Sequence, residues 1–193
     1  MRLISREVII DPSETTRRLQ RKSEMQKVIV AYLQGVLGDA TFSKLHHTHR
    51  ISQGNKLWLE KLKVLLHELG ENSWIYKEGK NRSVYVLETT CKRLSMNFDP
   101  KTLSSDAEKI AYIRGYFDAE GGIAHDKRVR FYLQFAERNR ERLEKVWNLL
   151  KGLMIECGKI HNPSKKVDPE YWRFYIRAQS HRTYAERIGS WHP

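Results

Sequence analysis

One five-residue pattern occurs twice in this chain, eighty positions apart, and it constrains the fold more than any other feature. Ala31-Tyr32-Leu33-Gln34-Gly35 returns as Ala111-Tyr112-Ile113-Arg114-Gly115. The first copy continues Val36-Leu37-Gly38-Asp39-Ala40 and the second Tyr116-Phe117-Asp118-Ala119-Glu120-Gly121-Gly122, so each runs into an acid beside a small residue. Two copies are too few for a solenoid and fit two related half-domains.

The residue types explain how two such segments would meet. Gly115 and Ala119 are four apart and share one helix face. Small residues there let two helix backbones approach closely. With Gly35 and Gly38 on the facing helix, the copies pack against each other, and each helix ends in an acid, Asp39 or Glu120. Paired carboxylates suit a hard divalent cation, which takes oxygen ligands and keeps several waters. Such a metal is a standard route to phosphodiester hydrolysis. The copies differ in one respect: Gly115 to Glu120 is five residues and Gly35 to Asp39 is four. Aligned without a gap, Ala40 falls opposite Glu120 and offers no side-chain oxygen. A one-residue gap instead sets Asp39 opposite Glu120 and Gly38 opposite Ala119, and a tightened last turn absorbs the difference.

The same layout surrounds both copies. Ser23 with Gln26 and Ser105 with Glu108 read as capping boxes, predicting helices from near Glu24 and Asp106. After the second motif, Val129, Phe131, Leu133 and Phe135 alternate with Arg128, Arg130, Tyr132 and Gln134 at the two-residue period of a strand. A helix follows in each half, carrying Leu59-Glu60-Lys61 in the first and Leu143-Glu144-Lys145 in the second. Another strand pair follows, through Trp74–Tyr76 and Val84–Leu87, then through Lys159–Arg177. Each half reads helix, two strands, helix, two strands, helix. The junction falls in 97–101, giving a basic N-terminal extension (1–22) and half-domains at 23–100 and 101–193. The extension carries Arg2, Arg6, Arg17, Arg18, Arg21 and Lys22, a basic arm or extra helix that could touch phosphates.

At 193 residues and 40% hydrophobic the chain can bury a core, while a net charge of +12 and a pI near 9.7 point to a polyanion. Nucleic acid fits better than membrane, because no long apolar run is present. Met1 to Pro12 lacks the apolar core of a signal peptide, and a cytoplasmic protein is expected, organellar if eukaryotic. Cys91 and Cys157 show no metal-type spacing and read as free thiols. His46, His47 and His49 have no accompanying ligand pattern and read as groove-facing or hairpin-tip residues rather than a zinc site. Antiparallel sheets keep one face solvated, and here that face would be basic. Candidate DNA contacts are Lys44, His46, Arg50, Lys77, Lys80, Arg82, Arg128, Arg130, Tyr132, Gln134, Arg173, Tyr175 and Arg177, with arginine suited to guanine edges and lysine to phosphate.

Ile113 to Gly121 resembles the LAGLIDADG motif of homing endonucleases over all nine positions. In element order and motifs the resemblance spans about Ser23 to Pro193. It implies an α+β fold: two pseudo-twofold-related αββαββα half-domains forming a saddle of antiparallel sheets, in a monomer. It also implies an intron-encoded, site-specific endonuclease that cuts both strands of a long asymmetric DNA target and leaves short 3′ overhangs. By resemblance, Asp39 and Glu120 hold Mg2+, with Mn2+ as substitute, and the Gly38 and Ala119 carbonyls add ligands. Gln53 stands where the family often has a polar residue orienting solvent, and Glu137 is its repeat partner. Lys127, seven residues beyond Glu120, is a candidate for stabilising phosphate charge. The alternatives on the same fold are an RNA-splicing maturase acting on intron RNA and a DNA-binding protein that has lost cutting, and the shortened first motif favours them.

Overall fold

Two helices cross at the centre, α1 (Pro12–Val36) and α3 (Asp106–Glu120), in a computed structural model that describes residues 12–124, 126 and 128–192. Their contact depends on glycine. A Cβ on Gly35 would collide with the Tyr112 carbonyl oxygen and lie 2.6 Å from the Tyr116 nitrogen; one on Gly115 would collide with the Tyr32 carbonyl oxygen. Tyr32, Leu33 and Val36 pack with Tyr112, Ile113 and Tyr116 in the core around this crossing. Ser105 caps α3, accepting from the Glu108 nitrogen, and Glu108 reaches back to Ser104 and Ser105. The first capping box does not form. Helix α1 runs unbroken through Ser23 because no glycine or proline interrupts the chain from Ser13 to Gln34 and the intervening residues are mostly good helix formers. Arg17, Arg18, Arg21 and Lys22 are therefore exposed positions on the motif helix itself, while Arg2 and Arg6 lie outside the described residues.

In the first half, β1 (Ala40–Ser43), β2 (Thr48–Gln53), β3 (Ser73–Lys77) and β4 (Tyr85–Thr89) form an antiparallel sheet in the order β1-β2-β4-β3. Helix α2 (Lys56–Glu68) covers it with Trp58, Leu59, Leu62 and Leu66, one apolar stripe. In the second half, β5 (Gly121–Ile123), β6 (Leu133–Glu137) and β7 (Trp172–Tyr175) run in sequence order, with α4 (Arg140–Gly152) supplying Leu143, Val146 and Leu150. Asn55 caps α2 and Asn139 caps α4, each accepting from a nitrogen three residues on. The chain ends in α5 (His181–Arg187).

Three expectations are corrected. Strand β6 begins at Leu133, so Arg128 to Tyr132 lie outside it. Asp126 accepts from the Arg128 nitrogen at 2.9 Å and its carbonyl from Val129, a side-chain-braced turn that holds this segment off the ladder. The strand expected from Lys159 is reduced to isolated bridges, Cys157 with Ile176 and His161 with Arg173. The first half's closing helix is replaced, among the described residues, by a short 3-10 turn at Pro100–Thr102 braced by Asp99. The α+β saddle stands with these changes.

The chain's final segment ties the halves together. Buried Asp118 accepts from Tyr32 Oη (2.6 Å), Ser190 Oγ (2.6 Å) and the Trp191 nitrogen. Trp191 packs on Tyr32, and its carbonyl accepts from Lys61 Nζ of α2.

Candidate active site and nucleic-acid face

The two motifs end side by side. After α1 the chain tightens into a 3-10 turn, Leu37–Asp39, while α3 stays α-helical to Glu120. A Cβ on Gly38 would lie 3.1 Å from both Cγ and Oε1 of Glu120 and 3.2 Å from Arg142 Nη2, so the motif ends touch through a glycine. Glu137, the last residue of β6, joins them. It accepts from Tyr116 Oη (3.2 Å) and from the nitrogens of Arg138 (2.9 Å) and Asn139 (3.3 Å). From the first turn of α4, Arg142 Nη1 donates to the Gly38 carbonyl at 3.2 Å and lies 3.9 Å from Glu137 Oε2.

Electrostatics follow from this crowding. Burial and then repulsion from Glu137 and Asp39 push the Glu120 carboxyl up to about 7, against the opposing pull of Arg142. Asp39 is also raised, by burial and then Glu137. The folded protein thus holds the Glu120 proton up to about pH 7, whereas an unfolded chain releases it near its ordinary 4.5. Folding therefore takes up a proton between those values, and metal-free stability falls as pH rises through that window. The melting temperature of the metal-free protein should drop by several degrees more between pH 5 and pH 8 than that of Glu120→Gln, at about 2–4 °C per kcal/mol. Parallel curves for the two proteins would contradict the crowding.

The donors suit a hard divalent cation. Asp39, Glu120 and the Gly38 carbonyl all offer oxygen. Among the described residues no group of three or more His, Cys, Asp or Glu is placed to hold a metal. Magnesium needs fewer, since it is usually bound by one or two carboxylates together with substrate phosphates. Ala119 is half-buried beside Glu120, and Gln53, ending β2, shares with Ala119, Gly121 and Gly122 the lining of a groove of about 750 Å³. Lys127 lies outside the described residues. Arg142 was missed in the sequence. Its one signal was a break in the repeat: the residue before Leu59-Glu60-Lys61 is Trp58 and the one before Leu143-Glu144-Lys145 is Arg142.

The outer sheet faces carry several of the expected contacts. On the first sheet Arg50 is aligned with Thr41, Glu88 and Trp74 across four strands. Arg50 Nε sits 2.9 Å from Glu88 Oε1, an ion pair out of line for a hydrogen bond, and Nη2 donates to Tyr76 Oη at 2.8 Å. Trp74 Nε1 donates to the other Glu88 oxygen. Lys44 and His46 lie exposed in the β1–β2 turn, and Lys77, Lys80 and Arg82 at the β3–β4 end. His49 is on the opposite, buried face against Phe42, because its strand register pairs it with Thr89 and places it one residue from Arg50. It does not face a groove.

On the second sheet Gln134 stands opposite Tyr175, Tyr132 packs against Tyr175, and Arg173 lies over the Tyr175 ring. Arg130 lines a shallow groove with Tyr132 and Tyr175. Arg128 is paired with Asp126 at 2.6 Å, and Arg177 donates to the Cys157 carbonyl beside Trp147 and Lys151 of α4.

The LAGLIDADG-like domain family matches residues 107–189. No curated protein matches the chain by sequence. Among solved structures, I-DmoI in complex with DNA and Mn superposes with a TM-score of 0.62 at 25% identity, over 87% of this chain and 99% of that one. I-DmoI in complex with DNA and Ca gives 0.63 at 22%, over 87% and 94%. Full-length DUF199/WhiA from Thermotoga maritima gives 0.67 at 18%, over 85% and 56%. Residues 107–189 thus match the LAGLIDADG-like domain family, and the two halves together carry the saddle fold of the homing endonuclease I-DmoI.

Proposed function

We propose that this chain is a site-specific, divalent-metal-dependent endonuclease that binds a long asymmetric DNA duplex as a monomer and cuts both strands, leaving short 3′ overhangs. The observation that carries this reading is the meeting of Asp39 and Glu120 at the foot of the crossed helices, between two sheets that carry Arg50 and Arg173 on their outer faces and Lys44, Lys80 and Arg82 in their turns. Asp39 and Glu120, with the Gly38 and Ala119 carbonyls, would hold Mg2+ or Mn2+. When bound, the metal supplies Lewis-acid polarisation of water and phosphate. Gln53 orients the attacking water, Lys127 offsets charge on the phosphate, and the two helices keep both acids in place. I-DmoI, the relative at 25% identity, is held with DNA and Mn, which supports both partner and metal class. An origin as an intron-encoded enzyme, in the cytoplasm or an organelle, follows from the same reading.

The test is incubation with duplexes carrying candidate insertion sites, in Mg2+ and in EDTA. Metal-dependent double-strand cutting is expected, and binding should weaken steeply with salt as phosphate contacts release counterions. Tight, salt-sensitive DNA binding without cutting in Mg2+ or Mn2+ selects the second reading, a DNA-binding protein that does not cut. That reading is favoured by one observation, that Arg142 already donates to the Gly38 carbonyl. Preference for intron RNA over any duplex would point to the maturase alternative.

Site recognition has its own expected result. Arg50→Ala should cost about 1–3 kcal/mol of specific binding if Arg50 reads a base. Glu88→Gln should lower specificity as well, because Glu88 holds Arg50 from one side and Trp74 from the other. Unchanged discrimination between target and random duplex in both variants would remove Arg50 from the reading surface.

A further inference from the structure

We infer that Arg142 is a resident counter-ion of the acid cluster that competes with a divalent cation for the Gly38 carbonyl and is displaced when one binds. The inference rests on the reading of Asp39 and Glu120 as the metal-holding acids.

Arg142 stands in the first turn of α4, where its own nitrogen is capped by Asn139. A cation at a helix N-terminus meets the positive end of the helix dipole, so the helix gives it no reason to be there. Its contacts do. Only 26% of its side chain is exposed, its Cζ lies 5.4 Å from the Tyr116 ring centre, and Nη1 donates to the Gly38 carbonyl at 3.2 Å. The same nitrogen is 3.9 Å from Glu137 Oε2. Nη2 and Glu120 Oε1 approach one point from two sides, the space a Cβ on Gly38 would fill. One guanidinium thus serves two carboxylates, those of Glu120 and Glu137, which with Asp39 otherwise repel one another. The first half has no such cation: the equivalent Trp58 is wholly buried, its indole nitrogen on Tyr32 Oη. A second cation at the Gly38 carbonyl would compete with Arg142 for the oxygen's electron density, and two positive groups side by side repel. Metal entry and guanidinium retreat are therefore one exchange.

The test uses the full chain without DNA. Mn2+ binding, read by electron paramagnetic resonance of the free ion at pH 8, is measured for wild type and Arg142→Met, which keeps length and packing on Tyr116 without charge. The variant should bind Mn2+ at least roughly tenfold more tightly, since removing a unit charge about 4 Å from a divalent ion exceeds that even at a water-like dielectric. In EDTA the same variant should melt below wild type, and adding Glu120→Gln should restore much of the loss. If Arg142→Met does not fold, Arg142→Gln, which retains a donor for the Gly38 carbonyl, should shift Mn2+ affinity in the same direction. Equal or weaker Mn2+ binding in the uncharged variant overturns the inference and leaves the endonuclease reading standing, provided Glu120→Gln abolishes binding in wild type. Absence of Mn2+ binding in every protein overturns the metal reading itself, and the counter-ion exchange with it.

Discussion

Gly115→Leu should unfold this protein at temperatures where the wild type is folded, lowering the melting temperature by more than about 10 °C. Even the Cβ of the new residue would collide with the Tyr32 carbonyl oxygen and come within 3.2 Å of the Val36 nitrogen. Both are backbone atoms of α1, so no rotamer change relieves the clash and the helices must separate. Overpacking a core with side chains able to shift costs about 1–3 kcal/mol, and here the obstacle is rigid. A domain of this size loses about 2–4 °C per kcal/mol. Separation would also uncover Tyr32, Tyr112 and Tyr116 together and pull apart the acid cluster. Gly35→Ala should behave likewise, its Cβ meeting the Tyr112 carbonyl and the Tyr116 nitrogen. Gly152→Ala is the control, because its Cβ meets no atom within 4 Å. A circular-dichroism melt of Gly115→Leu within about 5 °C of wild type would refute the close crossing.

The second large effect is chemical. Glu120→Gln preserves side-chain shape and removes the charge proposed to hold the metal, so cleavage should fall by about a thousandfold, the rate equivalent of several kcal/mol of metal-borne stabilisation. DNA binding should persist, since the sheet faces are untouched. Metal-free stability should rise near neutral pH, because a neutral amide avoids both the burial cost and the repulsion from Glu137 and Asp39 that lift Glu120 to about 7. Gain of stability with loss of cutting separates a site residue from a fold residue. Asp39→Asn should match it if Asp39 is the first motif's acid, and a variant that nicks only one strand would show that each motif serves one strand. Double-strand cutting at the wild-type rate by Asp39→Asn would remove Asp39 from the site.

What could be read from the chain was whatever repeats locally. Helix faces follow from residues three and four apart, so the Gly35–Gly115 crossing and the acids closing both motifs were legible as spacing. The missing residue of the first motif was legible too, and appears as the 3-10 turn that carries Asp39. Alternation along β7 showed which side chains face outward. Local signals failed where a neighbour outbid them. Ser23 has the form of a cap, yet the strong helix formers before it carry α1 back to Pro12. The alternating run from Arg128 is pinned in a turn by Asp126, and His49 is turned inward by its register with Thr89.

The acid cluster's charge balance depended on the tertiary structure. Arg142 is 104 residues from Gly38, whose carbonyl it reaches, and no periodicity links them. Asp118, two residues before Glu120, is buried under Ser190 and Trp191. Spacing along one helix is set by the backbone's own geometry, and so it is written in the sequence. Which carboxylate meets which cation is set by where separate elements dock, and only the folded chain decides that.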